Sequence, residues 1–271
     1  MTSLARGEQR SVWAEGLALA SETSAVAEAE LRKIVRDPTE LFSRSVQPIL
    51  WLLVFGQVFS RLHAVPTGAL TYEEFIAPGI LAQSVLFTAI FYGIAIIWER
   101  DLGIVHKMLV SPASRLSLVS GKAVAAGLRA VAPSLVIYAV ALSLGLRLRF
   151  AFLQALGVLL AVFLGSATFA TFSLIIACLV KTRERFMGIG QVITMPLFFA
   201  SNAIYPVEAM PGWLKVVSHG NPLTFLVDVL RALMLQGGQS AFGLGADFLI
   251  LVVVTAVLLL IAARLYPTVV L

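Results

Sequence analysis

Only 13% of the 271 residues are charged and only one is a cysteine, whereas 59% are hydrophobic. Soluble domains carry about 25% charged residues and about 45–50% apolar ones. The chain therefore has too little charge to cover a water-facing surface, which excludes a soluble enzyme, a disordered tail and a fibrous chain. A polytopic membrane protein is left. The lone Cys178 lies in an apolar run, so it has no internal disulfide partner and reads as a small packing residue. Histidine is scarce too: His63, His106 and His219 stand far apart without partners at metal-ligand spacing, and no metal site is expected. A glycine-rich phosphate loop is also lacking. The single Gly-Lys pair, Gly121-Lys122, has Leu116 where such a loop needs its first glycine, and it leads into a membrane segment. Gly-x-Ser-x-Gly is absent as well. Nothing points to catalysis, and any nucleotide this protein uses must be bound by another chain.

What the chain does have is six apolar segments: Val46–Phe59, Phe75–Trp98, Ala123–Leu146, Phe150–Val180, Met187–Tyr205 and Phe248–Leu265. A crossing helix takes about 20 residues. The first segment is short and opens at Pro48; the fifth carries Gly188, Gly190 and Pro196. None has a Lys, Asp or Glu near its centre, so proton coupling has little support. The exception is Arg129, which either snorkels or pairs with Glu99. Gly157, Ala161 and Gly165 recur every four residues, a spacing that permits close helix contact, within the chain or at a dimer seam. The run Val12–Ala20, broken by Glu15, is too weakly apolar for a signal peptide.

Charge fixes the expected orientation. The excess of 20 Lys+Arg over 15 Asp+Glu would suggest nucleic acid in a soluble protein; here it reads as loop bases, and no nucleic-acid partner is expected. With the N-terminus inside, only Arg61, Arg147, Arg149, Lys215 and Arg231 fall outside. Arg129 lies within a span and all other bases fall inside, so both termini are expected in the cytoplasm. The domain reading is a cytoplasmic segment 1–25, an amphipathic helix 26–44, a six-helix domain 45–265 and a cytoplasmic end 266–271.

Two polar pieces on the inner side stand out. In Ala27–Arg44, Ala27, Leu31, Ile34, Val35, Leu41 and Phe42 form one helical stripe opposite Glu28, Arg32, Lys33, Arg36, Asp37, Glu40 and Arg44. Such a helix lies in the membrane plane with its stripe in the acyl boundary, as an anchor alone or as an anchor that also touches a partner. Pro38 kinks or divides it. In Glu99–Lys122, Leu102, Val105, Met108 and Leu109 share one face of a short helix that Ser111-Pro112 ends, among Glu99, Arg100, Asp101, His106 and Lys107. That apolar face needs the bilayer surface or another protein. The third irregular region, 201–245, is punctuated by Pro206, Pro211-Gly212, Asn221-Pro222 and Gly237-Gly238. Its apolar pieces, with Trp213 in the first, are too short to cross and read as outer re-entrant helices. Asp228 and Arg231 are placed to pair on one helix face, a local ion pair rather than a cargo contact.

In this order the features resemble the type-2 permeases of ATP-binding-cassette (ABC) transporters, over about residues 26–265. Glu30-Leu31-Arg32-Lys33 with Arg36-Asp37-Pro38 resembles that family's amphipathic connecting helix. Glu99-Arg100, Gly103, Met108-Leu109 and Ser111-Pro112-Ala113-Ser114-Arg115, followed by Gly121-Lys122, resembles its coupling segment (99–115). Ile204-Tyr205-Pro206, Met210-Pro211-Gly212-Trp213-Leu214, Asn221-Pro222-Leu223-Thr224 and Asp228 with Arg231-Ala232 resemble its signature before the last span.

The resemblance implies an all-α membrane protein with six transmembrane helices, an N-terminal amphipathic interfacial helix and short outer re-entrant helices between helices 5 and 6. It also implies a bacterial cytoplasmic (inner) membrane, a second permease half in a homodimer, and two ATPase subunits that hold ATP and Mg, this chain binding no cofactor. Those ATPases would dock on Leu31, Arg32, Ile34 and Val35 and on Glu99, Arg100, Leu102, Gly103, Val105, Met108, Leu109 and Pro112. Spans so poor in polar groups suit a hydrophobic or amphiphilic cargo, a drug or lipid, better than a polysaccharide or glycolipid. Phe87, Phe91, Phe169, Phe172, Phe198 and Phe199 are candidates for its surface. A self-sufficient secondary carrier is the competing reading.

Overall fold

The computed structural model describes residues 12–36, 46–62, 67–68, 70–111, 113–180 and 182–270. Among them the regular elements are all helical, and Leu148 and Leu235 form an isolated antiparallel bridge. Helix α1 covers Val12–Arg36. Helical residues 46–62 form α2, with a π-helical turn at Trp51–Gly56 and an α-helical end at Gln57–Leu62. Next come α3 (Tyr72–Asp101), α4 (Ile104–Val110), α5 (Arg115–Arg129), α6 (Val131–Ser143), α7 (Phe152–Leu179) and α8 (Arg183–Phe199). After a 3-10 turn at Val207–Ala209 follow α9 (Gly212–His219), α10 (Pro222–Met234), α11 (Leu244–Leu265) and a 3-10 end, Tyr266–Val270.

The starts of these helices follow from short polar side chains that satisfy the first free amides. Thr71 accepts from the Glu74 amide at 3.2 Å while Glu74 accepts from the Thr71 amide at 3.0 Å, a capping box. Ser114 caps α5 through the Ser117 amide at 3.0 Å. Asn221 caps α10 through the Leu223 amide at 3.0 Å, with Pro222 at the first helical position.

Among the described residues four helices are long and apolar enough to cross a membrane: Tyr72–Asp101, Arg115–Ser143, Phe152–Leu179 and Leu244–Val269. The second is α5 and α6 joined at Ala130, and it begins before the expected Ala123. The expected first and fifth crossings lie in shorter helices. Of the expected segment Met187–Tyr205, α8 holds residues only to Phe199 and opens on the polar turn Arg183-Glu184-Arg185, so its 17 residues reach about 25 Å. Helix α1 also departs from expectation. It starts at Val12 rather than near Ala27, and residues 37–45, with Pro38, Leu41, Phe42 and Arg44, lie outside the described residues.

Helices α3 and α7 form the centre, and α7 also packs on α5, α10 and α11. Water gives no hydrophobic push between helices in lipid, so close contact must come from small residues and shape. Leu233 and Leu226 of α10 sit over Gly157 and Gly165, whose added Cβ atoms would lie 2.7 and 2.5 Å from them. The small-residue stripe of α7 thus serves packing within the chain. Two buried clusters result. The larger joins α3, α6, α7 and α10; the smaller gathers Ile96, Ile97, Val105, Val119, Phe186, Cys178 and Tyr266 at the other end of the bundle.

Candidate functional site

At the end of the bundle that holds the smaller cluster, α1 lies along α5. An added Cβ on Gly121 would lie 2.5 Å from Val26, so the two backbones meet there as closely as side chains allow. Ala27 and Glu30 are buried in the same contact. Part of the α1 face that sequence reasoning assigned to the acyl boundary is therefore covered by protein. Glu22 strengthens the junction by accepting from the Ser114 amide at 3.0 Å and the Ser117 hydroxyl at 2.6 Å. Arg32 is exposed and pairs with Glu28 at 2.6 Å. The side chains of Leu31, Ile34 and Val35 lie outside the described residues.

Beneath this contact Lys122 donates to Glu30 at 2.9 Å and to Glu99 at 2.6 Å. The three residues are 2%, 2% and 5% exposed and come from α5, α1 and the last turn of α3. Removing one partner of such a buried group typically costs about 3–5 kcal/mol, because a charge is left uncompensated. Sequence reasoning named Lys122 and Glu30 only as parts of motifs and offered Glu99 to Arg129. In the structure Glu99 meets Lys122, and the Arg129 guanidinium lies 5.0 Å from the Tyr92 ring centroid.

Past Glu99 the chain turns outward. Asp101 pairs with Arg100 at 2.9 Å and with Arg183 at the start of α8 at 2.7 Å, and Arg183 stacks on Trp98 at 3.7 Å. Gly103, at φ 71°, breaks the helix. The break separates residues that the helical period had grouped. Val105 is fully buried, and Met108 and Leu109 pack beside it, with the Tyr266 hydroxyl 3.8 Å from the Met108 sulfur. Leu102, on the far side of Gly103, is 67% exposed, and Val110 is 87% exposed. Leu102 thus does not share the face of Val105, Met108 and Leu109. Pro112 lies outside the described residues. Between α1 and α4 an apolar groove of about 380 Å³ opens over Val26, Ile104, Met108 and Leu118, with Lys107 at its edge.

The opposite end is held by other charges. Arg147 clamps Glu74 at 2.7 and 2.9 Å, and the carboxylate raises the arginine's pKa above its ordinary value. Asp228 and Arg231 do not pair with each other. Asp228 accepts from the Ala241 and Phe242 amides at 2.7 and 3.3 Å, whereas Arg231 donates to the Asn202 carbonyl at 2.7 Å and stacks on Phe75 at 3.9 Å. Each ties α10 to a different neighbour, because the helix is buried on all sides and both side chains must find partners. Asn221 also donates to the Leu197 carbonyl at 2.6 Å, joining α8 to α10. Pro222 opens α10, Pro206 precedes the 3-10 turn, Pro211 precedes α9, and Trp213 projects from α9, 70% exposed. Asp247, buried and accepting from Ser240 at 2.8 Å, was not anticipated from sequence.

The six phenylalanines fall into separate places. Phe87 and Phe91 stack 6.3 Å apart, half-buried. Phe172 touches both clusters, and Phe199 is exposed. Phe169 and Phe198 are core residues, the latter against Trp51 at 6.2 Å, so they line no open surface here.

The family profile described as ABC-2 type transporter matches residues 21–235. The chain belongs to that family. It is 29% identical over 203 residues to ycf38 of Cyanophora paradoxa, by name a transport permease, covering 74% of this chain and 70% of that one. It is 24% identical over 229 residues to the daunorubicin resistance ABC transporter permease protein DrrB1 of Streptomyces coeruleorubidus, covering 84% and 80%. This ABC-2 protein is a multi-pass membrane protein and the permease subunit of an ABC exporter, and the α1–α4–α5 junction is its candidate coupling site.

Proposed function

We propose that this permease exports a hydrophobic or amphiphilic cargo, a drug or a lipid, across the bacterial cytoplasmic (inner) membrane. The energy comes from ATP, held with Mg by two separate ATPase subunits; two copies of this chain enclose the pathway. Helices α2 and α8 complete six crossings, both termini face the cytoplasm, and α9 and α10 dip in from outside without crossing. The excess of bases on the inner side supports that orientation.

One observation carries the reading: the apolar α1–α4 groove stands beside exposed Leu102 and Val110, at the end where buried charges bind α1 to the spans. Apolar surface of that kind on a loop in water calls for a protein partner. Closure of the ATPase pair pushes on α4 and α1, and the spans switch between two packings. Drug cargo is supported by the name of the Streptomyces relative and by the groove of about 350 Å³ between α8 and α9, lined by Val192, Ile193, Pro196, Leu197 and Val217. Phe87, Phe91, Phe172 and Phe199 remain for the cargo surface.

The test is reconstitution. The chain with its cognate ATPase should move daunorubicin or a fluorescent phospholipid in proteoliposomes only when Mg-ATP is present. Transport by the chain alone under an ion gradient would refute the proposal.

A further inference from the structure

We propose that Lys122 is a positioning residue for transport: shared between Glu30 and Glu99, it locks α1 and the last turn of α3 onto α5, so that force applied at α1 and α4 reaches the spans as one movement. The inference rests on the proposed docking of the ATPase at this end.

Three features of the junction support it. The linked groups come from three elements, so the ammonium is the common point through which α1, α3 and α5 are tied. Glu99 lies four residues before Gly103, so displacement of α4 pulls on the ion pair before it reaches the rest of α3. Ile96, Val119 and Ala123 stand beside Lys122, with Tyr92 and Thr171 as the polar neighbours. Apolar residues of similar volume would serve stability there as well or better, whereas directed charges hold one arrangement of helices and admit a second. A second acceptor is at hand. The buried Tyr92 hydroxyl has no hydrogen-bond partner among the described residues and borders the same closely packed site as Lys122. When α1 or α3 shifts, the ammonium can exchange a carboxylate for that hydroxyl without returning to water.

The test compares Lys122→Arg with the triple variant Lys122→Met, Glu30→Gln, Glu99→Gln, which removes the three charges of this cluster together. Each is combined with Cys178→Ser and spin labels at Phe152→Cys and Val216→Cys, exposed positions on α7 and α9. The complex with the cognate ATPase is trapped with Mg, ADP and vanadate, and the label distances are measured by pulsed electron resonance. In the unsubstituted junction and in Lys122→Arg, trapping should shift the distance distribution. In the triple variant, ATP hydrolysis should stay within about twofold while the shift falls at least fivefold, as expected when a two-state element loses its link to the site that drives it. A full shift in the triple variant overturns the role of Lys122. Failure of the unsubstituted chain to bind the ATPase overturns the docking reading, and with it this inference. Should the triple variant not reach the membrane, Glu30→Gln, which keeps the Lys122–Glu99 pair, is measured instead. Its shift should fall at least threefold, and an unchanged shift overturns the proposal.

Discussion

Gly79 sits where an added methyl would lie 2.3 Å from the carbonyl oxygen of Ala203, a contact no side chain can make. Gly79→Ala must therefore part α3 from the turn after α8. The expected cost is about 1–3 kcal/mol, the usual range for overpacking a tight site. Thermal unfolding in detergent measures it, and an unchanged Tm would contradict the close approach. Asn221 does two tasks at the same end, capping α10 and holding the Leu197 carbonyl. Asn221→Ala should cost about 1 kcal/mol for the cap, visible as a lower Tm, whereas Asn221→Asp should keep the cap and lose only the donor to α8. Partners of this kind were not legible beforehand. Spacing places Asp228 and Arg231 on one face of a helix, but it says nothing about the Ala241 amide or the Asn202 carbonyl that each meets instead. In the same way Glu30 and Lys122 are 92 positions apart, and only packing reveals that they touch.

Helix periodicity was informative where a helix ran unbroken and misleading where a glycine interrupted it. The long apolar runs within α3, α7 and α11 were evident from length and composition, since few other structures bury so many consecutive apolar residues. Helix α1 was seen only in part, because the segment before Ala27 mixes small and polar residues. Around α4, period alone grouped Leu102 with Val105, Met108 and Leu109, but the left-handed Gly103 rotates Leu102 out of that set. The two residues should therefore respond differently. Val105→Asp places a charge in the smaller cluster and forfeits about 1.5–3 kcal/mol of apolar burial before any charge penalty, so expression and Tm should both fall. Leu102→Asp should leave Tm unchanged and reduce co-purification of the ATPase. Equal effects on stability would refute this division of inward and outward residues.

For the molecule as a whole, the family and its permease function followed from order: a polar helix, a span, a polar insertion with its own apolar face, and a punctuated region before the last span. Four long helices, a match over residues 21–235 and relatives named as permeases agree with that sequence of elements. A surface for the proposed second copy was not legible, because apolar surface facing lipid and apolar surface facing another copy have the same composition. The central claim is that residues 99–115 form a cytoplasmic grip for a separate motor. Val110→Cys in a Cys178→Ser background tests it most directly, using a membrane-impermeant maleimide on inside-out vesicles and on intact cells. The account predicts labelling in the inside-out vesicles, protection when the ATPase is bound, and none in intact cells; labelling from the outside of intact cells would contradict it.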